Sequence, residues 1–379
     1  MQFNGMRLRK ARYYNGLSVD DLAKKIDLKK QSISQFENGK ISPSAETLWA
    51  LSRELHFPMS YFFQEDSDSG YQVAGTTYFR SLLTTTKKYR QEQIVKMEYV
   101  AAIYSFLSNY IVFPKVNLPE IDEGTTPQEA AKILRRFWNL GNGPITDLIQ
   151  IMERNGIIVT SFKTTSDKID AFSHKYGELY IVVLSENKSV AARSYFDAAH
   201  ELGHIMLHDW YEDIEDFSRE EFKQREKEAN EFAASFLCPD ESFIQDFRLT
   251  RGNSLDSYAL LKKKWHISIE ALLYHASRLQ LITPSQHQYS YRILHKKGWY
   301  RHEPYDEVIS LPPPTLFRDA IELLLKENVF TTATFMQSLE NSGCAMNYDQ
   351  VEMLLGLPAD TLAPNSTYSS NILQIKREV

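Results

Sequence analysis

Residues 198–208 read AAHELGHIMLH, and few folds can use that run. On an α-helix His200 and His204 lie one turn apart on one face, where both imidazoles can grip one metal ion. Glu201 is offset by about 100° and can reach a metal-bound water without being a ligand itself. The chain must therefore form a helix here and gather other groups around the two histidines. Only two cysteines, Cys238 and Cys344, are present, which excludes a disulfide scaffold and a Cys-rich zinc finger. Any metal site must be built from His and carboxylates.

The plain alternative is a helix with two satisfied surface histidines. A third ligand decides, because three protein ligands plus an open water position mark a catalytic zinc. His208, at i+8 from His200, stands about 12 Å along the helix axis and cannot close the same tetrahedron. Position 210, where a longer histidine pattern would need its third ligand, holds Trp210. The next helical stretch, EFKQREKEANEFAASFLCP, offers Glu226, Glu228 and Glu231. Its apolar stripe runs through Phe222, Ala229, Ala233, Phe236 and Leu237. Glu226 falls in the middle of that stripe, Glu228 about 120° off it, and Glu231 on the opposite face. A carboxylate centred on an apolar face is costly unless paired, and a metal would pair it. Glu226 is therefore the expected third ligand. Asn230, one turn later at the stripe's edge, suits a partner that orients a ligand histidine. Asp197, on the histidine face one turn earlier, can adjust the charge of the site.

A second signal lies near the start. Residues 1–63 carry 10 Lys/Arg against 6 Asp/Glu, a balance of +4, while the remainder carries −10. A small basic module on an acidic body suits a tethered nucleic-acid reader. Five short helices are expected there. Ser18 with Asp21 makes a capping-box start, Asp27 occupies a turn that needs the left-handed conformation, and Gly39 stops the third helix. The fourth is capped by Ser42 or Ser44, with Pro43 suited to a first turn. Small Ala23 allows close helix approach, and Ile33 and Phe36 supply the buried face of a helix-turn-helix. The opposite face offers Lys30, Gln31, Ser32 and Gln35 to base edges, with Asn38 and Lys40 placed for phosphates.

QSISQFENGKISPSAETLWAL closely resembles the Xre-type, phage-repressor-like DNA-binding domains. The resemblance implies binding of a double-stranded operator as a homodimer. AHELGHIMLH followed by EANEFAASFLCP resembles the ImmA/IrrE family of zinc metallopeptidases. TTYFRS, FPKVNLPEID, PITDLIQIMERNGIIVTSF, LKKKWHISIEALLYHASRLQLI and GWYRHEP extend the resemblance over roughly 76–305. Asp197 departs from the Thr common in that family.

The expected fold is mainly α with a small β-sheet (α+β), and its domains follow from these segments. They are a five-helix helix-turn-helix domain at 1–63, a linker at 64–78 and a helical region at 79–155 leading into the peptidase. A zincin-like metallopeptidase domain at 156–305 and a helical C-terminal region at 306–379 complete the chain. Strands are expected at 156–162, 169–173 and 179–184 and helices at 144–154, 190–208, 219–237, 256–264 and 268–280. ELYIVVL could receive a substrate backbone by strand addition or be a buried strand. Tyr176, Tyr195 and His174 are candidates for stabilising an oxyanion. Cys238 is expected to pack behind the ligand helix, and Lys262, Lys263 and Lys264 to form a solvated run.

No apolar run spans a membrane, MQFNGMRLRK lacks the apolar stretch of a secretory signal, and the low cysteine content fits a cytoplasmic protein. Two readings of function remain. In one, a DNA-binding regulator carries a Zn2+ endopeptidase, with Glu201 catalytic, whose protein substrate is a repressor of a mobile-element, toxin–antitoxin or stress operon. In the other, a repressor or antitoxin uses the zinc domain as a sensor or dimerisation platform. A purely structural site has no need of a proton-accepting carboxylate at Glu201.

Overall fold

A computed structural model describes residues 2–65, 77–79, 87–164, 170–187, 190–210, 217–250 and 254–364, with backbone alone at 77–79 and 87. Residues 66–76, most of the expected linker, lie outside the described residues, as do Thr76, Arg80 and Ser81 of TTYFRS. In chain order the helices are α1 (Gly5–Tyr14), α2 (Val19–Lys25), α3 (Lys30–Glu37), α4 (Ala45–Leu55), α5 (Lys87–Leu107), α6 (Pro127–Phe137), α7 (Leu148–Arg154), α8 (Ala191–Leu207), α9 (Arg219–Leu237), α10 (Asp240–Leu249), α11 (Leu255–Trp265), α12 (Ile269–Arg278), α13 (Pro284–Lys296), α14 (Leu316–Lys326), α15 (Thr332–Asn341) and α16 (Tyr348–Leu355). A 3-10 turn at Met59–Phe63 follows α4. Strands β1 (Thr77–Phe79), β2 (Ile157–Phe162), β3 (Ala171–Tyr176) and β4 (Leu179–Ser185) form one sheet ordered β1-β3-β4-β2. The fold is mainly α with a small sheet, as its sequence patterning implies.

Two compact units divide the chain. One comprises 1–72, 85–113 and 315–379, the other 73–84 and 114–314. The segment 79–155 is thus shared between them, and so is 306–379.

In the first unit the local signals of the N-terminal helices are realised. Ser18 and Asp21 form a reciprocal capping box on α2, Asp27 takes φ 54° and Gly39 φ 66°. Ser44 caps α4, so Pro43 precedes the helix instead of entering its first turn. Leu22, Ala23, Ile33, Phe36, Leu48 and Leu51 are buried. Gly5 lies where a Cβ would come within 2.2 Å of the Phe36 carbonyl oxygen, so only glycine lets α1 approach the end of α3 this closely. Arg12 grips the Glu37 carboxylate with two bonds of 2.5 and 2.9 Å. The C-terminal segment is fastened to this module by specific hydrogen bonds. Gln64 donates to the Glu340 carbonyl and accepts from the Ala345 amide, and Asn347 donates to the carbonyl of His56.

The second unit sets the sheet against α8, with α9 packed along α8 and α6 against α9. β2 runs parallel to β4, and β3 antiparallel to it. β4 is therefore an interior strand paired on both sides, which closes the strand-addition route considered for ELYIVVL; its near-continuous burial agrees. α7 starts at Leu148, later than expected, because Ile145 is buried outside the helix and the Thr146 carbonyl is used by Tyr195. A larger correction concerns the lysine run. Lys262 is fully buried and bonds Glu303 at 2.7 Å and also Asp306, while Lys263 and Lys264 remain exposed. Glu303 accepts the Ile269 amide as well, so the GWYRHEP segment is pinned to α11 and α12 by charge. Cys238 caps α9 and is buried, as expected of a packing thiol; burial pushes its pKa well up.

Candidate metal centre

α8 is buried along nearly its whole second half. Its histidine side faces α9, and the two helices approach closely at Gly203. A Cβ there would meet the Cα and carbonyl oxygen of Ala229 and the ring of Phe232, each at 3.1 Å. α9 starts on a capping box between Ser218 and Glu221, which sets where its carboxylates fall along the helix.

The three carboxylates of α9 then diverge. Glu226 lies against the histidines, with Oε2 at 3.4 Å from His200 Nε2 and Oε1 at 3.3 Å from His204 Nε2. The two Nε2 atoms are 3.0 Å apart. Glu228 meets His208, and Glu231 turns away to accept from Gln128. Among the described residues, His200, His204 and Glu226 are the group whose donor atoms could hold a metal ion, all within 4.8 Å of one another.

The donor chemistry fits a divalent cation. Asn230 Nδ2 donates to the Glu226 carbonyl at 2.7 Å, so its Oδ1, 3.1 Å from His200 Nδ1, can only accept. The hydrogen of the His200 ring therefore sits on Nδ1, and its Nε2 presents a lone pair. That lone pair faces a carboxylate, and Glu226 Oε1 is buried without a hydrogen bond. Separations of 3.0, 3.3 and 3.4 Å match three corners of a tetrahedron with bonds of about 2 Å. The protonation state of His204 agrees. Burial pushes His204 down to about 4, which leaves it neutral.

Glu201 is fully buried and outside the ligand group. Ser173 on β3 donates its hydroxyl to Glu201 Oε2 at 2.5 Å. Nothing in the sequence marked Ser173, since a serine in a short strand carries no periodic signal. Of the oxyanion candidates, Tyr195 donates to the Thr146 carbonyl. The rings of His174 and Tyr176 meet at a tilt of 56°, centroids 4.1 Å apart, on the opposite face of β3 from Ser173. Asp197 is buried in the wall of a cavity of about 610 Å³ that Glu226 and Asn230 also line, with Phe196, Arg193 and Tyr274. His208, excluded as a ligand by distance, sits beside the site, with Nδ1 2.9 Å from His204 Nδ1 and Nε2 3.1 Å from Glu228 Oε2.

In the other unit, Lys30, Gln31, Gln35, Asn38 and Lys40 are exposed and Ser32 is half-buried. Asn38 is partly committed within the fold, donating to the Ser34 carbonyl and accepting from Arg9.

Comparison with known families finds two matches along the chain. Residues 8–62 match a helix-turn-helix family, and residues 152–277 match the peptidase M78 family through an IrrE N-terminal-like domain. No curated protein matches the chain. The chain thus joins a DNA-binding helix-turn-helix to a domain of a metallopeptidase-like family. No helix among the described residues is long and apolar enough to cross a membrane.

Proposed function

We propose that this chain is a DNA-binding transcriptional regulator whose second unit is a zinc endopeptidase. In this reading His200, His204 and Glu226 hold Zn2+, and Glu201 is the general base. The observation that carries it is the convergence of three ligand-type atoms beside a buried carboxylate that is not one of them. The chemistry that Zn2+ would supply, if held by these three residues, is a lowered pKa for a coordinated water and polarisation of a scissile carbonyl. Glu201 would be the group that accepts a proton from the attacking water and returns it to the departing amine. The Ser173 hydroxyl donates to Oε2 of Glu201 and so orients its carboxylate. The adjacent cavity, walled by Asp197, receives substrate side chains.

The DNA reader places Lys30, Gln31, Ser32 and Gln35 at base edges and Asn38 and Lys40 at the phosphates of an operator, as a homodimer. The cleaved protein is a repressor or related regulator of a mobile-element, toxin–antitoxin or stress operon. Because reader and protease share one chain, the protease is delivered to the operator where its target sits. A helix-turn-helix domain at 1–63, a linker to 78, a helical segment to 155, a peptidase domain to 305 and a C-terminal region remain the proposed functional division.

Metal content by mass spectrometry tests the core of this. About one zinc per wild-type chain, lost in Glu226→Ala, is expected. Glu201→Gln should keep the metal and lose about 10²–10⁴-fold in cleavage rate. A wild-type chain that takes up no metal from zinc-containing buffer refutes the peptidase reading. Cleavage at physiological concentration that is undiminished in a Gln31→Ala/Gln35→Ala chain refutes delivery by the operator.

A further inference from the structure

The sequence singles out His208 and then leaves it without a task, because it is too far along the helix to bind the same metal. Its surroundings give it one. His208 is the residue on which α8 ends, its amide still bonded to the His204 carbonyl. Its side chain is almost fully buried, 4% exposed, and both ring nitrogens are engaged. Nε2 lies 3.1 Å from Glu228 Oε2, and Nδ1 lies 2.9 Å from Nδ1 of His204. Glu228 is itself held by Gln224, which donates to its other oxygen at 2.7 Å.

With Glu228 ionised and both rings neutral, the hydrogens along this chain run in one order. An ionised Glu228 can only accept, so Nε2 of His208 must carry the ring hydrogen. Nδ1 of the neutral His208 ring is then an acceptor. The facing Nδ1 of His204 must donate to it, which leaves the lone pair of His204 on Nε2, the atom turned toward His200 and Glu226. We infer that His208, set by Glu228, is a positioning residue that holds His204 in the tautomer and orientation its Nε2 needs to bind metal. Asn230 does the same for His200, through an amide oxygen instead of a ring. The two ligand histidines are thus locked from opposite sides by different chemistry. The inference rests on the zinc reading given above, but its physical content, the tautomer of His204, exists without the metal.

Two measurements separate the inference from that reading. Histidine ¹⁵N spectra of the metal-free full chain report which ring nitrogen carries the hydrogen. His204 is expected as the Nδ1–H tautomer in the wild type and is expected to lose that preference in His208→Leu. Zinc titration against a chelator is the second measurement. His208→Leu should weaken the zinc Kd by about 10–100-fold, the usual effect of removing a partner of a metal-ligating histidine. His208→Gln, whose amide oxygen can accept from His204 Nδ1, should restore most of it, a rescue that a space-filling role would not produce. Glu228→Leu, a change at a part-exposed position, should shift the same tautomer signal and weaken zinc less than His208→Leu. It also serves as the test if His208→Leu does not fold. An unchanged His204 tautomer in both variants, or a His208→Leu chain that binds zinc as tightly as wild type, overturns the inference. If the wild type takes no zinc at all, the peptidase reading falls and the tautomer spectra alone decide the role of His208.

Discussion

Gly203 is where the metal centre depends most directly on helix spacing, and Gly203→Ala is the perturbation that reads it. In an isolated helix this change stabilises by about 1 kcal/mol. Here the new Cβ would lie 3.1 Å from three atoms, two of them backbone atoms of Ala229 that cannot rotate away. Ordinary carbon contacts are about 3.5–4.0 Å, so α8 and α9 must separate by a few tenths of an ångström at this level. Overpacking of that kind costs about 1–3 kcal/mol, which cancels or exceeds the propensity gain and leaves a net loss of about 0–2 kcal/mol. The larger consequence falls on the site. Glu226 lies less than one turn before Ala229 on the helix that is displaced, and metal–ligand distances tolerate only about 0.2 Å. Zinc affinity should fall by about tenfold or more. The assay is competitive zinc titration of the full chain, because it reads the site itself and not the stability of the unit around it. A Gly203→Ala chain with wild-type zinc affinity and raised stability would falsify the claim that close approach at this glycine sets Glu226 against the histidines.

Two further outcomes follow from buried charge elsewhere in the second unit. Lys262→Met strands Glu303 and Asp306, whose side chains are 4% and 5% exposed; the expected cost is about 3–5 kcal/mol, and thermal unfolding of the variant at the wild-type temperature would refute the buried triad. His275 is held down to about 4, first by burial and then by the charge of Arg278, against the opposing pull of Asp240. Its unfolded pKa is about 6.5, so the stabilisation is fully present above that pH. It is lost as pH falls toward 4, because the unfolded chain then binds a proton the fold excludes. Unfolding free energies from urea titrations between pH 7 and 4 should decline less steeply in His275→Gln, by about 1–3 kcal/mol over the range; parallel curves would show that His275 is not the group responsible.

How much of this was legible beforehand depended on the range of the interaction. Ser18 with Asp21, the left-handed Asp27 and the stop at Gly39 are settled within a few residues by backbone geometry and capping. The pairing of His200 with His204 is of the same kind, since one helical turn enforces it. Glu226 was separable from Glu228 and Glu231 because an apolar stripe tells which face of α9 turns inward. The errors came where a side chain's environment is supplied from far along the chain. Lys262 reads as solvated beside Lys263 and Lys264, yet Glu303 and Asp306, some forty residues on, make its burial tolerable. ELYIVVL could have been an edge, and only its pairing with β2 and β3 made it interior.

By itself, then, the sequence determined the helix-turn-helix, the helix that carries the histidine pair and the carboxylate fit to join them, all through periodicities and caps that each segment carries within itself. Only the tertiary structure decided that Ser173 holds Glu201, that His208 and Glu228 back His204, and that residues 315–364 group with the N-terminal module. Those contacts depend on which helices and strands come to lie side by side and at what distance, and close packing fixes that spacing by the shape of all the contacting side chains together, not by a pattern within any one segment.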